Sequence, residues 1–152
     1  MNLIREAGKI FGKPHKEFFS EAALESAAKL DEALERSVRE DAIWLIPYSD
    51  VDCGYGSFWD KARGPESGRF FFKLLIGDKG KLYMTAFTDF YEVDSGPGTD
   101  IMAMRAKNVL RDFCISPYAE DFVINPWNNK APIDQAWIEE ILDRCGIDWR
   151  EE

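Results

Sequence analysis

Two apolar phrases that end in polar residues constrain the fold of this chain most: Leu82-Tyr83-Met84-Thr85-Ala86-Phe87-Thr88-Asp89 and Asp121-Phe122-Val123-Ile124-Asn125-Pro126-Trp127. Each reads as a strand that runs into a turn. The first follows another β-prone run, Arg69 to Ile76, across Gly77-Asp78-Lys79-Gly80, a glycine-bounded connection that suits a hairpin. Between the two phrases Ser95-Gly96-Pro97-Gly98 breaks the chain. Thr99 or Asp100 can then cap a helix whose Met102, Ala106, Val109 and Phe113 share one face. A chain with both a hairpin and a strand–helix–strand crossover requires a mixed sheet with helices packed on it.

The remaining segments extend this frame. From Glu21 to Arg39 the apolar positions Leu24, Ala27, Leu30, Leu34 and Val38 recur at helical spacing, with Ser20 as the expected N-cap. Ala42 to Pro47 is an unbroken apolar run closed by proline, as expected of a strand buried on both faces. The last helix is the best marked: Asp134 is its N-cap, Ile133 and Ile138 form a hydrophobic staple, and Gly146 lies just past its end. Its buried stripe is Ile138, Ile141, Leu142 and Cys145. The reading is α+β, a mixed and mostly antiparallel sheet of about four or five strands with helices packed on it. One domain spans residues 20–152, and residues 1–19 form an N-terminal arm anchored by Phe18 and Phe19.

Composition excludes several classes of function. The formal net charge is −9, and the acids Asp134, Glu139, Glu140, Asp143, Asp148, Glu151 and Glu152 face only Arg144 and Arg150 near the C-terminus. Polyphosphate is repelled by such a surface. No run of basic residues supplies the footprint that nucleic acid or an anionic membrane requires. No apolar stretch reaches the length of a membrane span, and the opening residues are not expected to act as a signal peptide. Cys53, Cys114 and Cys145 are too scattered for a zinc or redox pair, so a reducing cytoplasm is the expected compartment.

Candidate chemistry is sparse. His15, the single histidine, lies in the arm, away from any strand end that would hold a catalytic base rigidly. Cys53 sits in the glycine-rich Asp50-Val51-Asp52-Cys53-Gly54-Tyr55-Gly56, where the neighbouring carboxylates oppose thiolate formation. The acids Asp50 and Asp52, and Asp89, Glu92 and Asp94, lack the spacing of a calcium loop and read as solvated or capping groups. Gly54, Gly56, Gly64 and Gly68 form no phosphate-binding pattern. No catalytic residue, metal site or cofactor is therefore assigned.

The long stretch Tyr48 to Gly68 is of interest for its rings instead. Tyr55, Phe58 and Trp59, with Asp89 and Trp127, form the candidate interaction surface, because large amphipathic rings dominate interface energetics. The alternative is that these rings fold down over the sheet as a lid. Thr88-Asp89 and Asn125-Pro126 read as devices that turn the chain at the strand ends, since proline holds the residue before it extended and an Asn amide can bond nearby backbone.

The phrases ending Phe87-Thr88-Asp89 and Val123-Ile124-Asn125-Pro126 resemble the N-terminal domain of the SseB family, the enhanced-serine-sensitivity proteins of bacteria. The strand ending Leu45-Ile46-Pro47 and a final helix opening near Ile133 are similar to that family's layout, so the resemblance spans roughly residues 21–145. It implies a small bacterial cytosolic α+β domain with no catalytic residue to carry over. Longer members have a second, C-terminal domain, and the Tyr48 to Gly68 loop is a departure from the pattern. The expected function is a non-enzymatic protein-interaction or regulatory module whose partner is another protein. Two alternatives stand beside it. One is an enzyme or small-ligand-binding protein that uses the 48–68 loop as a lid; the other is an acidic, immunity-like inhibitor of a basic protein.

Overall fold

Side-chain alternation along the strands sorts the chain into two layers. Trp44 and Ile46, Phe72 and Leu74, Met84 and Ala86, and Phe122 and Ile124 all point to one face of a sheet, where three helices bury them. The computed structural model describes residues 26–49, 59–63, 71–128 and 130–150. Within these residues the order is α1 (Ala27–Arg39), β1 (Ile43–Ser49), β2 (Trp59–Arg63), β3 (Phe71–Ile76), β4 (Leu82–Ala86), α2 (Phe90–Asp94), β5 (Ile101–Arg105), α3 (Ala106–Ile115), β6 (Asp121–Ile124), β7 (Ala131–Ile133) and α4 (Gln135–Arg144). The architecture is α+β, as expected from the sequence.

Among the described residues the sheet has seven strands, more than the expected four or five, in the order β5-β1-β3-β4-β6-β7 with β2 paired on β3. Among these strands only β4 and β6 pair in parallel, from Tyr83 opposite Asp121 to Ala86 opposite Ile124. The hairpin is β3–β4, with Leu75 opposite Tyr83 and Ile76 opposite Leu82. Lys79 (φ 62°) and Gly80 (φ 77°) both take left-handed conformations in its turn. The glycine accepts this at no steric cost, which accounts for its place there. On β1, Leu45 exchanges two backbone hydrogen bonds with Phe87, at 2.9 and 2.7 Å. The end of β1 lies on the start of β3, where Tyr48 faces Phe72.

The core lies between the sheet and α1, α3 and α4. Leu30, Leu34 and Val38 from α1, Val109, Leu110 and Phe113 from α3, and Ile138, Ile141 and Leu142 from α4 close over it. Phe122 sits at its centre, 5.6 Å between ring centroids from Phe113 and 6.1 Å from Trp44. The termini of α4 follow local chemistry. Asp134 accepts from the Trp137 amide at 2.8 Å, and Ile133 and Ile138 are both buried. Gly146 has φ 73°, and Ile147 N–H reaches back to the Leu142 carbonyl at 2.9 Å while Gly146 N–H bonds Asp143 at 3.1 Å. That pair of bonds is a Schellman motif.

Two expectations need correction. The first helix opens at Ala27, where extended Ser26 caps it by accepting from the Lys29 amide at 3.4 Å; it does not run on continuously from Glu21. The segment Ile101–Arg105 is a strand and not the first turns of a helix capped by Thr99 or Asp100. It pairs with β1 over five consecutive residues, from Ile43 opposite Arg105 to Pro47 opposite Ile101. The hydrogen-bonding edge of β1 claims a segment whose apolar spacing would equally serve a helix, and the helix begins one residue after the strand ends, at Ala106.

Candidate functional site

The carboxyl ends of adjacent parallel strands are where open α/β sheets commonly bind ligands, and here both strand-end phrases arrive at that point. Their polar groups are turned on each other. Asn125 Oδ1 accepts from the Thr88 amide at 2.9 Å, and Asn125 Nδ2 donates to Thr88 Oγ1 at 3.0 Å. Both residues are buried. Asn125 also donates its own amide to the Ala86 carbonyl at 2.9 Å and adopts φ 53°, not the extended conformation expected before Pro126 but a left-handed one that asparagine tolerates better than most residues. Pro126 then leads the chain away. The strand ends are thus a lock between two turns 37 residues apart.

A second bond reinforces the lock. Asp89 caps α2 by accepting from the Glu92 amide at 3.0 Å, and the buried Glu92 carboxylate accepts from Asn128 Nδ2 at 3.2 Å. Asp89 is therefore a helix cap and not a free carboxylate. Trp127, between these turns, packs half-buried with Leu45, Phe87, Val93 and Ile101 on the face of the sheet opposite the three long helices. A Cβ at Gly96 would overlap Trp127 Cγ, so the ring lies directly against the glycine backbone. Glycine is required there by close approach.

Beside Trp127 the same face opens into a groove of about 300 Å³. Its floor is the outward row Leu75, Tyr83, Val123 and Pro132, one side chain from each of β3, β4, β6 and β7. Trp127 and Pro126 wall one side. Ile76 lies on the rim, 39% exposed, and Lys130 sets a positive charge beside it. Near the start of β4, Lys81 Nζ bonds Asp121 at 2.6 Å and lies 5.9 Å from the Tyr83 ring centroid. The Asp121 carboxylate raises the Lys81 pKa, so this ammonium stays charged. Apart from Lys130 and backbone, its described lining is aromatic and aliphatic; it can seat an apolar or aromatic side chain.

Of the candidate surface, the structure brings Asp89 and Trp127 into one region. Trp59 opens β2 and faces Leu75 in the register, which places its backbone alongside the strand that floors the groove. Tyr55 and Phe58 lie outside the described residues, as do Cys53, His15 and the 1–19 arm. The lid reading rests on the 48–68 loop, of which only Tyr48, Ser49 and Trp59–Arg63 are described. Sequence reading missed Leu75, Tyr83, Val123 and Pro132. The signal was available in part: alternation within the two phrases already sets Tyr83 and Val123 opposite Met84 and Phe122. What could not be read was that α1, α3 and α4 all pack on the other side.

The two described thiols are not activated. Burial pushes the Cys114 thiol up to about 12, with Glu139 and Asp143 adding to the effect, and burial also raises Cys145. Neither is a thiolate at neutral pH. Among the described residues no three His, Cys, Asp or Glu side chains gather to hold a metal ion, and no helix is long and apolar enough to cross a membrane. No family model matches the chain, and neither a curated protein nor a solved structure matches it.

Proposed function

We propose that this chain is a non-enzymatic protein-interaction or regulatory domain of the SseB type, and that it binds a partner protein in the groove beside Trp127. The observation that supports this reading is the groove itself: a half-open apolar trough on the sheet face the three long helices leave uncovered, walled by Trp127 and floored by Tyr83. Aromatic-lined troughs of this kind recognise extended peptide segments through one or two anchoring side chains. The strand-end polar groups support binding over catalysis, because Thr88, Asn125 and Asp89 are engaged in bonds that hold the backbone.

The test is capture of a defined protein by the full chain, compared across variants. Ile76→Asp and Tyr83→Ala should abolish capture while leaving the far-ultraviolet circular dichroism spectrum unchanged. Arg111→Ala, on the exposed side of α3, should leave it intact. Equal recovery by all three variants would remove the groove from consideration.

A further inference from the structure

The two ends of the sheet are finished differently. One end is β7, three residues long with Pro132 at its centre, which has no amide to offer a neighbour. The other end is β5, five residues in regular register with β1 and with neither proline nor lysine. Its backbone polarity can be assigned residue by residue. Tyr48 N–H bonds the Asp100 carbonyl at 3.0 Å, and Ala106 N–H bonds the Ala42 carbonyl at 2.8 Å. In an antiparallel ladder the inward and outward residues alternate. Asp100, Met102, Met104 and Ala106 therefore turn their main-chain groups toward β1, and Ile101, Ala103 and Arg105 turn theirs away. Among the described residues no strand pairs with that outer edge.

We propose that the outer edge of β5 pairs antiparallel with β5 of a second copy of this chain, about a two-fold axis at Ala103. The charges select a copy of the same strand as occupant. The strand has an exposed acid before it, Asp100, and bases at its end, Arg105 and Lys107, which share Asp41 at 3.8 and 3.2 Å and remain partly exposed. Antiparallel pairing of two copies sets the acidic end of each beside the basic end of the other. It places Ala103 opposite Ala103 and Ile101 opposite Arg105, and forms a ladder of about six main-chain hydrogen bonds. A hollow of about 190 Å³ lined by Ile43, Ala103, Arg105 and Asn108 lies where β1, β5 and the start of α3 meet. Half-buried Met104 borders the same hollow, and a thioether adapts its packing readily. This is a self-association surface of the isologous kind, on a different strand from the residues that line the groove beside Trp127.

Ala103→Pro is the decisive variant, because it removes an amide that faces outward and leaves the ladder to β1 intact. Sedimentation of the full-length wild type should show a concentration-dependent dimer, and Ala103→Pro should weaken it by roughly tenfold to a hundredfold through the loss of both central bonds. Hydrogen exchange on the wild type gives a second reading should the proline variant fail to fold. The amides of Ile101, Ala103 and Arg105 should gain protection as concentration rises, and those of Met102 and Met104 should be protected throughout. Three results would overturn the proposal: a wild type that stays monomeric, a folded Ala103→Pro that still dimerises, or edge amides protected equally at all concentrations, which would mean that another part of the same chain covers the edge.

Discussion

The two faces of the sheet are built from alternate residues of the same strands, yet they differ in what covers them. On the helix side Phe122 meets Phe113 and Trp44, and the closed core draws on every long helix. On the other side Val123, itself buried, borders a groove, and among the described residues the short helix α2 with Trp127 packs at the end near Leu45 and Phe87. Neighbouring residues of one strand thus serve different ends. The closed face supplies most of the apolar burial among the described residues, and the proposed partner site lies on the other.

The sharpest test sets those neighbours against each other. Phe122→Ala should lower the unfolding free energy by about 3–5 kcal/mol in urea titration, and Val123→Ala by about 1–2 kcal/mol. Equal losses would mean that the faces are not energetically distinct. Next comes the lock that joins the faces at the strand ends. Asn125→Ala leaves the buried Thr88 amide without its acceptor and forces alanine into a left-handed conformation, at a cost of about 2–4 kcal/mol. Asn125→Gly accepts the backbone conformation but not the bonds, so its melting temperature should fall between those of the wild type and the alanine variant.

Gly96→Ala probes the open face alone. The new methyl must displace the Trp127 ring, so it should cost about 1–3 kcal/mol and shift the indole N–H resonance of Trp127 with little change at Trp44. The smallest effect is expected on the outside of the helix layer. There Arg144 holds Asp31 at 2.7 and 2.9 Å and Glu35 at 2.9 Å, and Trp137 Nε1 donates to Asp31. The hydrogen bond from Arg144 and then that from Trp137 hold the Asp31 carboxyl below its usual range, against the opposing effect of burial. A depressed carboxyl stabilises the fold above its unfolded pKa of about 4, and this contribution is lost as pH falls through the folded value. Arg144→Met should therefore cost at most about 1 kcal/mol at neutral pH, and the difference from wild type should shrink in acid.

How much of this was legible depended on how local each cause was. The last helix could be read in full, because Asp134, Ile133, Ile138 and Gly146 act within a turn of their own positions. The strand-end residues were legible as turning devices, although their mutual bond required knowing that the two phrases lie side by side. Strand β5 was not legible, since Ile101 to Arg105 carries no signal that separates an edge strand from a helix start until the exposed edge of β1 is considered. Strand β7 was too short to register, and its role as the far edge depends on β6. The groove was least legible of all. It is defined by where α1, α3 and α4 are not, and no residue within it records that.

The path of the chain between β4 and β6 has a kinetic consequence. These two central neighbours are separated in sequence by a detour that lays β5 at the opposite edge of the sheet, beyond β1. The middle of the sheet therefore cannot close by local zippering of successive segments. Loop-closure entropy must be met before the parallel pair forms, and such topologies fold slowly relative to those built from adjacent hairpins. Until then the facing edges of β4 and β6 stand open, and the Thr88–Asn125 bond cannot form before the two strands meet.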